Sequence, residues 1–510
     1  MRQRRFELTV WAFLLSLAYY PDYPGFIAWF ALVRPLMIIS KLRGGDVFKA
    51  AYFFGFCFNL FSLYWIAWVT PPGMITAVLI VALYYAAVLV MFNRIFQYRQ
   101  LLGLIAFPFL WVGMEYFRTL SQFAFPWSDL GYTQSYYLYI LQVVSIISVH
   151  GLSFLIAAVN VMLWQVLRKE VGLGTRLACA GIPVGIVVLL IAYGWAVWPY
   201  IQYKGEIPVA ALQGSVPINV KWAENNEDYS FKLYDSLAVS VKDSAVLVCV
   251  WPETAAPAYL THDYNARLKV GATARRVGVP QFVGAMGAEE KDGRMRYHNS
   301  AYLFEPNGSM GPRYDKAKLV PFTEAVPYQD YLPFLRKDVI TKYLTFIETY
   351  NIPFWSDFSP GDSIKLYQVG DYLFGPLICY EGVFPEYTRQ MILDGADFLV
   401  NITNDTWWGH SVGIYMHSRF SVVRAVENRC WVVRAANSGW TFIVDDYGEI
   451  RHELPLDAQG ALVGRIDTIR DMSFFTRHGD VAGRVSFLIT ALCAAIFIIR
   501  WFLGRILRRS

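Results

Sequence analysis

Charge is scarce in this sequence. Only 17% of its 510 residues are Asp, Glu, Lys or Arg, against 55% hydrophobic, a balance too apolar for a soluble enzyme in a chain too long for one ordinary domain. A net charge of +5 over that length does not imply nucleic acid as a partner. The six cysteines contain no CxxC pair, and Cys57, Cys179 and Cys493 lie in apolar runs, so neither a zinc site nor a disulfide scaffold is expected. Internal repeats and low-complexity linkers are also missing. Nothing in the spacing asks for a metal or an organic cofactor.

What is present is segregated. From about residue 6 to 200 charges are sparse and runs such as Met74 to Phe92 recur, whereas from about 205 to 480 charge, Pro and Gly return. Since a helix needs about 20 apolar residues to cross a bilayer, spans are expected near 6–20, 22–39, 50–69, 74–93, 101–118, 139–166, 177–199 and 484–504. The first two are short, and Arg34 falls in the second. The run after Arg5 lacks a small-x-small cleavage pattern and further spans follow closely, so it reads as a retained anchor rather than a signal peptide.

Basic residues are missing from alternate loops. Thr70–Gly73 and Ser121–Tyr137 contain no Lys or Arg, while Arg2, Arg4, Arg5, Lys41, Arg43, Lys49, Arg94, Arg99, Arg168, Lys169, Arg176, Arg505, Arg508 and Arg509 all fall on the other side. The positive-inside rule then places both termini in the cytoplasm, with Arg118 the exception. A polar domain entered from the seventh span and left by the eighth must face outward, which in a bacterium is the periplasmic side of the inner membrane. ATP is not available there, so group transfer needs an already activated donor.

The expected organisation is an α-helical membrane bundle of about eight spans, about seven of them over 1–204, an α/β domain over 205–478, and a C-terminal transmembrane helix with a basic cytoplasmic tail over 479–510. In the α/β region, short β-rich runs (IPVAALQG, SAVLVCVWPE, PQFVGAMG, SAYLFEP, YLFGPLICYE, DFLVNITND, CWVVRAANSG, TFIVDDYGEI) alternate with amphipathic helices. Pro306-Asn-Gly308 and Asp446-Tyr-Gly448 should close hairpins. The aromatic- and Pro-rich stretch 329–360 reads as an extended loop with a short helix.

Three reactive residues fall at strand ends: Glu253 after AVLVCVW, Lys316 in RYDKAKLVPFTE and Cys379 after LFGPLI. Singly, each has a bland reading as a surface carboxylate, a solvated loop charge or an inert core thiol, and spacing alone does not separate the trio from coincidence.

The local wording does. WPETA, YDKAKLVPF and ICYEGVFPE, in that order, resemble the Glu, Lys and Cys motifs of the nitrilase superfamily, and NITNDTWWG and RAVENRCWVVRAANSG resemble the stretches that follow its nucleophile. A nitrilase-like domain framed by so many spans resembles the bacterial apolipoprotein N-acyltransferases. VPFTEAVP, FPWSDLGYTQ and the Gln213 to Trp222 segment extend the likeness over nearly the whole chain. Thr323 stands where the family usually has Gly, and the Lys316 to Cys379 spacing is longer than usual, which bears on the substrate entrance.

The resemblance implies an αββα domain and a two-step reaction. A phospholipid acylates Cys379, and the α-amine of a diacylglyceryl-cysteine lipoprotein then attacks the thioester. Glu253 would be the general base and Lys316 the oxyanion's cation. Glu324 and Glu381 match family positions expected to orient Lys316 or the intermediate, with solvated loop carboxylates as the alternative. Tyr380 is expected to shape the acyl pocket. Trp222, Asn404, Trp407 and Trp408 would be lid residues at the bilayer surface or packed core residues. His298 and His417 are assigned no role. The expected partners are a phospholipid donor, a lipoprotein acceptor and the bilayer, with the chain a monomer. The rival readings are a membrane-anchored nitrilase-type amidohydrolase and an inactive lipoprotein-binding scaffold.

Overall fold

A long run without charge has one economical arrangement in a medium without water, the α-helix, because it satisfies its own backbone. The computed structural model describes every residue except 1, 23, 199–204, 222–226, 292, 330, 333, 335–338, 340–356, 470 and 507–510. The chain divides into two compact units. One is Met1–Ala67, Pro71–Trp198 and His478–Ser510; the other is Trp68–Thr70 and Pro199–Arg477.

In the first unit, among the described residues, six helices are long and apolar enough to cross a membrane: Gly45–Trp68, Pro71–Tyr98, Gln100–Phe117, Val144–Leu167, Leu173–Val197 and Val481–Arg500. They coincide with the last six expected spans. The first two fall short of that length, so the expected count of about eight is not confirmed. Arg2–Leu17 has 16 residues, about 24 Å at 1.5 Å per residue. The run expected at 22–39 is a 3-10 helix, Pro24–Trp29, followed by an eight-residue α-helix, Val33–Ser40. Pro24 and Pro35 have no N–H to continue a helical ladder. Arg34, out of place in an apolar run, meets the Glu7 carboxylate at 2.7 Å.

The bundle also buries a polar cluster. Arg118 pairs with Asp129, and His150 lies between Asp129 and Asp480, all four at most 3% exposed. Ser148 donates to Asp480 at 2.6 Å, while Glu115 accepts from the Leu130 N–H and from Trp111 at 2.9 and 2.8 Å. Arg118 is thus a neutralised side chain rather than a free charge in a loop that otherwise lacks basic residues.

The second unit is two stacked sheets. The first contains β1 (Ile207–Gln213), β2 (Cys249–Val250), β3 (Ala256–Tyr259), β4 (Gln281–Lys291), β5 (Arg294–Phe304) and β6 (Met310–Asp315). The second contains β7 (Tyr367–Val369), β8 (Tyr372–Ile378), β9 (Phe398–Thr403), β10 (Val432–Ala436), β11 (Phe442–Val444) and β12 (Ile450–Glu453), and β13 (Gly460–Ile466) returns to the first. The strand orders are β13-β1-β2-β4-β5-β6, with β3 on β4, and β12-β11-β10-β9-β8-β7. Phe282 on β4 meets Tyr367 and Phe374 of the other sheet at 5.2 and 5.0 Å, which is the contact expected of sheets packed face to face. Helices Glu227–Ser240 and Tyr264–Val277 cover the first sheet through Phe231, Tyr234, Val270 and Val277. Pro385–Leu393 and Val412–Asn428 pack on the second. The layers are therefore α, β, β, α.

Each quoted β-rich run contributes a strand. Both expected hairpin turns form, with Gly308 at φ +83° and Gly448 at φ +85°, conformations that cost glycine nothing. The expected helix within 329–360 lies largely outside the described residues. Pairing is parallel for β1 with β2, β2 with β4, β8 with β9 and β9 with β10, so the strand C-termini gather at one end of the sandwich, where α/β folds place their sites.

Candidate active site

Glu253, Lys316 and Cys379 follow the ends of β2, β6 and β8, and the sandwich brings them together. Glu253 sits in a turn that presses on β4. A Cβ on Gly284 would fall 2.3 Å from the Pro252 carbonyl oxygen, so only glycine allows that approach. Lys316, 1% exposed, is fixed by its own backbone. Its N–H donates to the Asn299 carbonyl at 2.8 Å, and its carbonyl accepts from Gly361 at 2.9 Å. Its ammonium lies 2.8 Å from Glu324 Oε1 and 3.5 Å from Glu253 Oε1. Cys379 opens a 3-10 turn, Cys379–Val383, at φ +52°, a left-handed conformation that a residue with a Cβ adopts only when its surroundings impose it.

The electrostatics follow from burial. Desolvation raises the Glu253 carboxyl above its ordinary range and nearby Glu324 adds to the effect, while Lys316 opposes it. Burial alone would push the Lys316 ammonium down. The charges of Glu324, Cys379 and Glu253 outweigh it and hold the group cationic. The Cys379 thiol is pushed up by desolvation and by Glu253, and Lys316 works the other way. A thiol held this way would need a neighbouring base to deprotonate it before it could attack, and the fixed cation beside it would suit an oxyanion.

Glu324 orients the lysine directly, accepting also from Asn299 Nδ2 at 3.1 Å and the Val320 N–H at 2.8 Å. Glu381 acts elsewhere. Its two oxygens take the N–H of Ala317 at 2.6 Å and of Ile378 at 2.8 Å, and the Tyr314 hydroxyl at 2.8 Å, tying the lysine loop to the nucleophile turn. Burial raises its carboxyl to about 7. Tyr380 is buried, edge-on to Phe384 at 5.2 Å. Asn404 is 3% exposed, accepting from Thr406 Oγ1 at 2.7 Å and Asn437 Nδ2 at 3.1 Å. It therefore holds its loop from inside rather than covering it. Trp407 and Trp408 are half-buried in the short 3-10 turn Asp405–Trp408, and Trp408 meets the His417 ring edge-on at 4.7 Å. Trp222 lies outside the described residues.

Two neighbours escaped the sequence reading. Asn299 Nδ2 donates to Glu253 Oε1 at 2.7 Å as well as to Glu324, bridging the two carboxylates. The polar run His298-Asn299-Ser300 inside an apolar strand was its signal. Lys221 is fully buried, donating to Thr254 Oγ1 at 2.7 Å and the Glu253 carbonyl at 3.3 Å, and burial pushes its ammonium down to about 7. Among the described residues, no three His, Cys, Asp or Glu side chains are placed to hold a metal ion.

Residues 208–473 match the carbon-nitrogen hydrolase family, and residues 11–162 match the apolipoprotein N-acyltransferase N-terminal domain. An apolipoprotein N-acyltransferase of Geobacter metallireducens is 35% identical over 490 residues, covering 92% of this chain and 90% of that protein. One from Brucella melitensis is 31% identical, covering 88% and 85%, and one from Chlorobaculum tepidum 26%, covering 93% and 92%. With both sequence regions matched in order and a buried Glu, Lys and Cys assembled at the strand ends, the chain belongs to the apolipoprotein N-acyltransferase family.

Proposed function

We propose that the chain N-acylates lipoproteins by a ping-pong reaction through Cys379. Glu253 takes the thiol proton as sulfur attacks the ester carbonyl of a phospholipid. Lys316 and the backbone N–H after Cys379 hold the oxyanion. Glu253 then returns the proton to the departing lysophospholipid oxygen, leaving an acyl thioester. The α-amine of a diacylglyceryl-cysteine lipoprotein attacks next, Glu253 collects its proton, and collapse expels the thiol and leaves an amide. No ATP or organic cofactor enters, because the ester already carries an activated acyl group.

The observation that carries this reading is the Lys316 ammonium, buried at 1% exposure and shared by Glu253 and Glu324. A structural lysine has no need of two carboxylates beside a nucleophile. The distribution of basic residues supports a bacterial inner-membrane location with both termini cytoplasmic and the domain spanning 205–478 periplasmic. There it works as a monomer at the bilayer surface, and Glu324 and Glu381 position the lysine and the nucleophile turn.

The amidohydrolase reading, in which water discharges the thioester, is not favoured, since a small soluble substrate needs no set of apolar helices. Purified chain given phospholipid vesicles and a diacylglyceryl lipopeptide should yield a lipopeptide heavier by one fatty acyl group. Free fatty acid with an unmodified lipopeptide would instead mark a hydrolase, and no turnover with any phospholipid would mark a binding scaffold. Either result sinks the proposal.

A further inference from the structure

Cys379 is held from two sides by side chains that meet at a carboxylate with no part in the steps above. On one side, Thr403 ends β9, the strand paired with β8 through Ile378 and Ile402. Cys379 and Thr403 therefore follow these paired neighbours at the same sheet end, where the Thr403 side chain favours the Cys379 thiolate, and its hydroxyl donates to Asp405 Oδ1 at 2.9 Å. On the other side, His417 hydrogen-bonds the backbone of Cys379 and places Nδ1 3.0 Å from the same Asp405 oxygen. The second Asp405 oxygen accepts from Arg434 Nη2 at 2.5 Å. Thr403, Asp405, His417 and Arg434 are all essentially inaccessible to solvent.

Charges this deep carry a large desolvation cost unless fully paired, and here one carboxylate collects an arginine, a histidine and a hydroxyl. The result is rigid and has one adjustable member. A threonine hydroxyl has a single proton and rotates freely to place it. In the resting site that proton points to Asp405, which leaves the oxygen's lone pairs toward the sulfur, able to accept S–H. Once Glu253 has taken the thiol proton, the sulfur offers no hydrogen and needs a donor. Turning the Thr403 proton from Asp405 to the sulfur supplies one, and Asp405 keeps Arg434 and His417. No bond to hydrogen breaks in the turn, and it reverses when the thiol is expelled.

We infer that Thr403 is a further catalytic residue, a hydroxyl that hands its one hydrogen bond from Asp405 to the Cys379 sulfur as the thiolate forms, with Asp405 and His417 as positioning residues. The inference rests on Cys379 being the nucleophile. The balance of charge around the sulfur calls for such a donor. Burial, Glu253 and Asp405 all disfavour the thiolate, while Lys316 and Thr403 favour it.

The test uses the full chain in detergent with phospholipid vesicles. Two readouts are followed by peptide mapping: the rate at which Cys379 gains an acyl group, and the pH midpoint of Cys379 alkylation by iodoacetamide. Thr403→Val keeps the shape and removes the hydroxyl, and Thr403→Ser keeps the hydroxyl. Thr403→Ala stands in for Val if that variant does not fold. The hydroxyl-free variant should acylate about 10- to 100-fold more slowly, the range set by a hydrogen bond to a charged group, with its alkylation midpoint moved to higher pH. Ser should restore both. A hydroxyl-free variant with wild-type rate and midpoint overturns the inference, and so does Ser behaving like Val. A wild-type chain that acquires no acyl group on Cys379 overturns the acyl-carrier reading beneath it as well, a failure distinct from an unaffected Thr403 variant.

Discussion

Replacing Lys221 by Met should make the protein more stable at pH 7 and less active. The lysine is 1% exposed and meets the uncharged acceptors Thr254 Oγ1 and the Glu253 carbonyl. Burial holds its ammonium down from an ordinary 10.5 to about 7, with Glu253 pulling the other way. At 1.36 kcal/mol for each factor of ten, carrying the charge in the fold costs on the order of 5 kcal/mol, of which two hydrogen bonds return about 1–3 kcal/mol. The native value lies below the unfolded one, so between about pH 7 and 10.5 the unfolded chain holds the extra proton. Stability then rises with pH across that window, by up to about 1.4 kcal/mol per pH unit, and below it the cost is constant. Met fills a similar length without charge. The variant should therefore exceed the wild type at pH 7 by about 2–4 kcal/mol, with the gap closing toward pH 10. Activity moves the other way. Thr254, at φ +49°, loses its anchor, and the Glu253 carboxyl loses a cation that lowers it, so the acid limb of the acylation profile shifts to higher pH. Thermal unfolding of both proteins in detergent from pH 6 to 10 measures the gap. Parallel stability profiles, or a Met variant that is less stable at pH 7 with an unchanged acid limb, would refute this account of the buried charge.

Other substitutions separate the remaining roles. Glu253→Gln should slow acylation of Cys379 by at least about 10²-fold, the scale of a lost general base. It should also ease alkylation of the thiol, because the carboxylate charge that disfavours the thiolate is gone; stopped-time mass spectrometry reads both. Glu381→Leu strands the N–H groups of Ala317 and Ile378, while the Tyr314 hydroxyl keeps Tyr387, costing at least about 2 kcal/mol at 1–3 per buried orphan, seen as a lower unfolding midpoint together with lost turnover. In the bundle, Asp480→Ala takes away the shared partner of Ser148 and His150. Breaking a buried pair costs about 3–5 kcal/mol, so the variant should aggregate at lower temperature, with any residual folded enzyme still able to acylate Cys379.

Much of the second unit was legible because its signals are local. Apolar runs bounded by Gly, Pro and Asn become strands, and a polar residue ending such a run lands where strand termini gather. That logic put Glu253, Lys316 and Cys379 at strand ends, and only the resemblance of their segments to nitrilase motifs singled them out. It could not reveal how Glu381 serves, because its partners include backbone N–H groups 64 positions away at Ala317 and three away at Ile378, and backbone donors leave no mark in composition. Asn299, Lys221 and Asp405 stayed hidden for a related reason: each is one ordinary polar residue until the fold shows what it faces. The hints were two polar interruptions of apolar strands, His298-Asn299-Ser300 and Arg434 in WVVRAA, since a buried guanidinium demands a carboxylate. In the bundle, apolar length marked the six long helices. The first two runs form shorter helices, the second divided between Pro24–Trp29 and Val33–Ser40, and the Glu7–Arg34 pair accounts for a charge that hydropathy alone left unexplained.

The central claim is that Cys379 carries the acyl group, and intact-mass spectrometry tests it most directly. Purified chain mixed with phospholipid should gain the mass of one fatty acyl group, mapped to the peptide holding Cys379 and absent in Cys379→Ala. A diacylglyceryl lipopeptide amine should discharge it far faster than water does. An adduct mapped to another residue, or N-acyl lipopeptide produced at the wild-type rate by Cys379→Ala, would contradict the account.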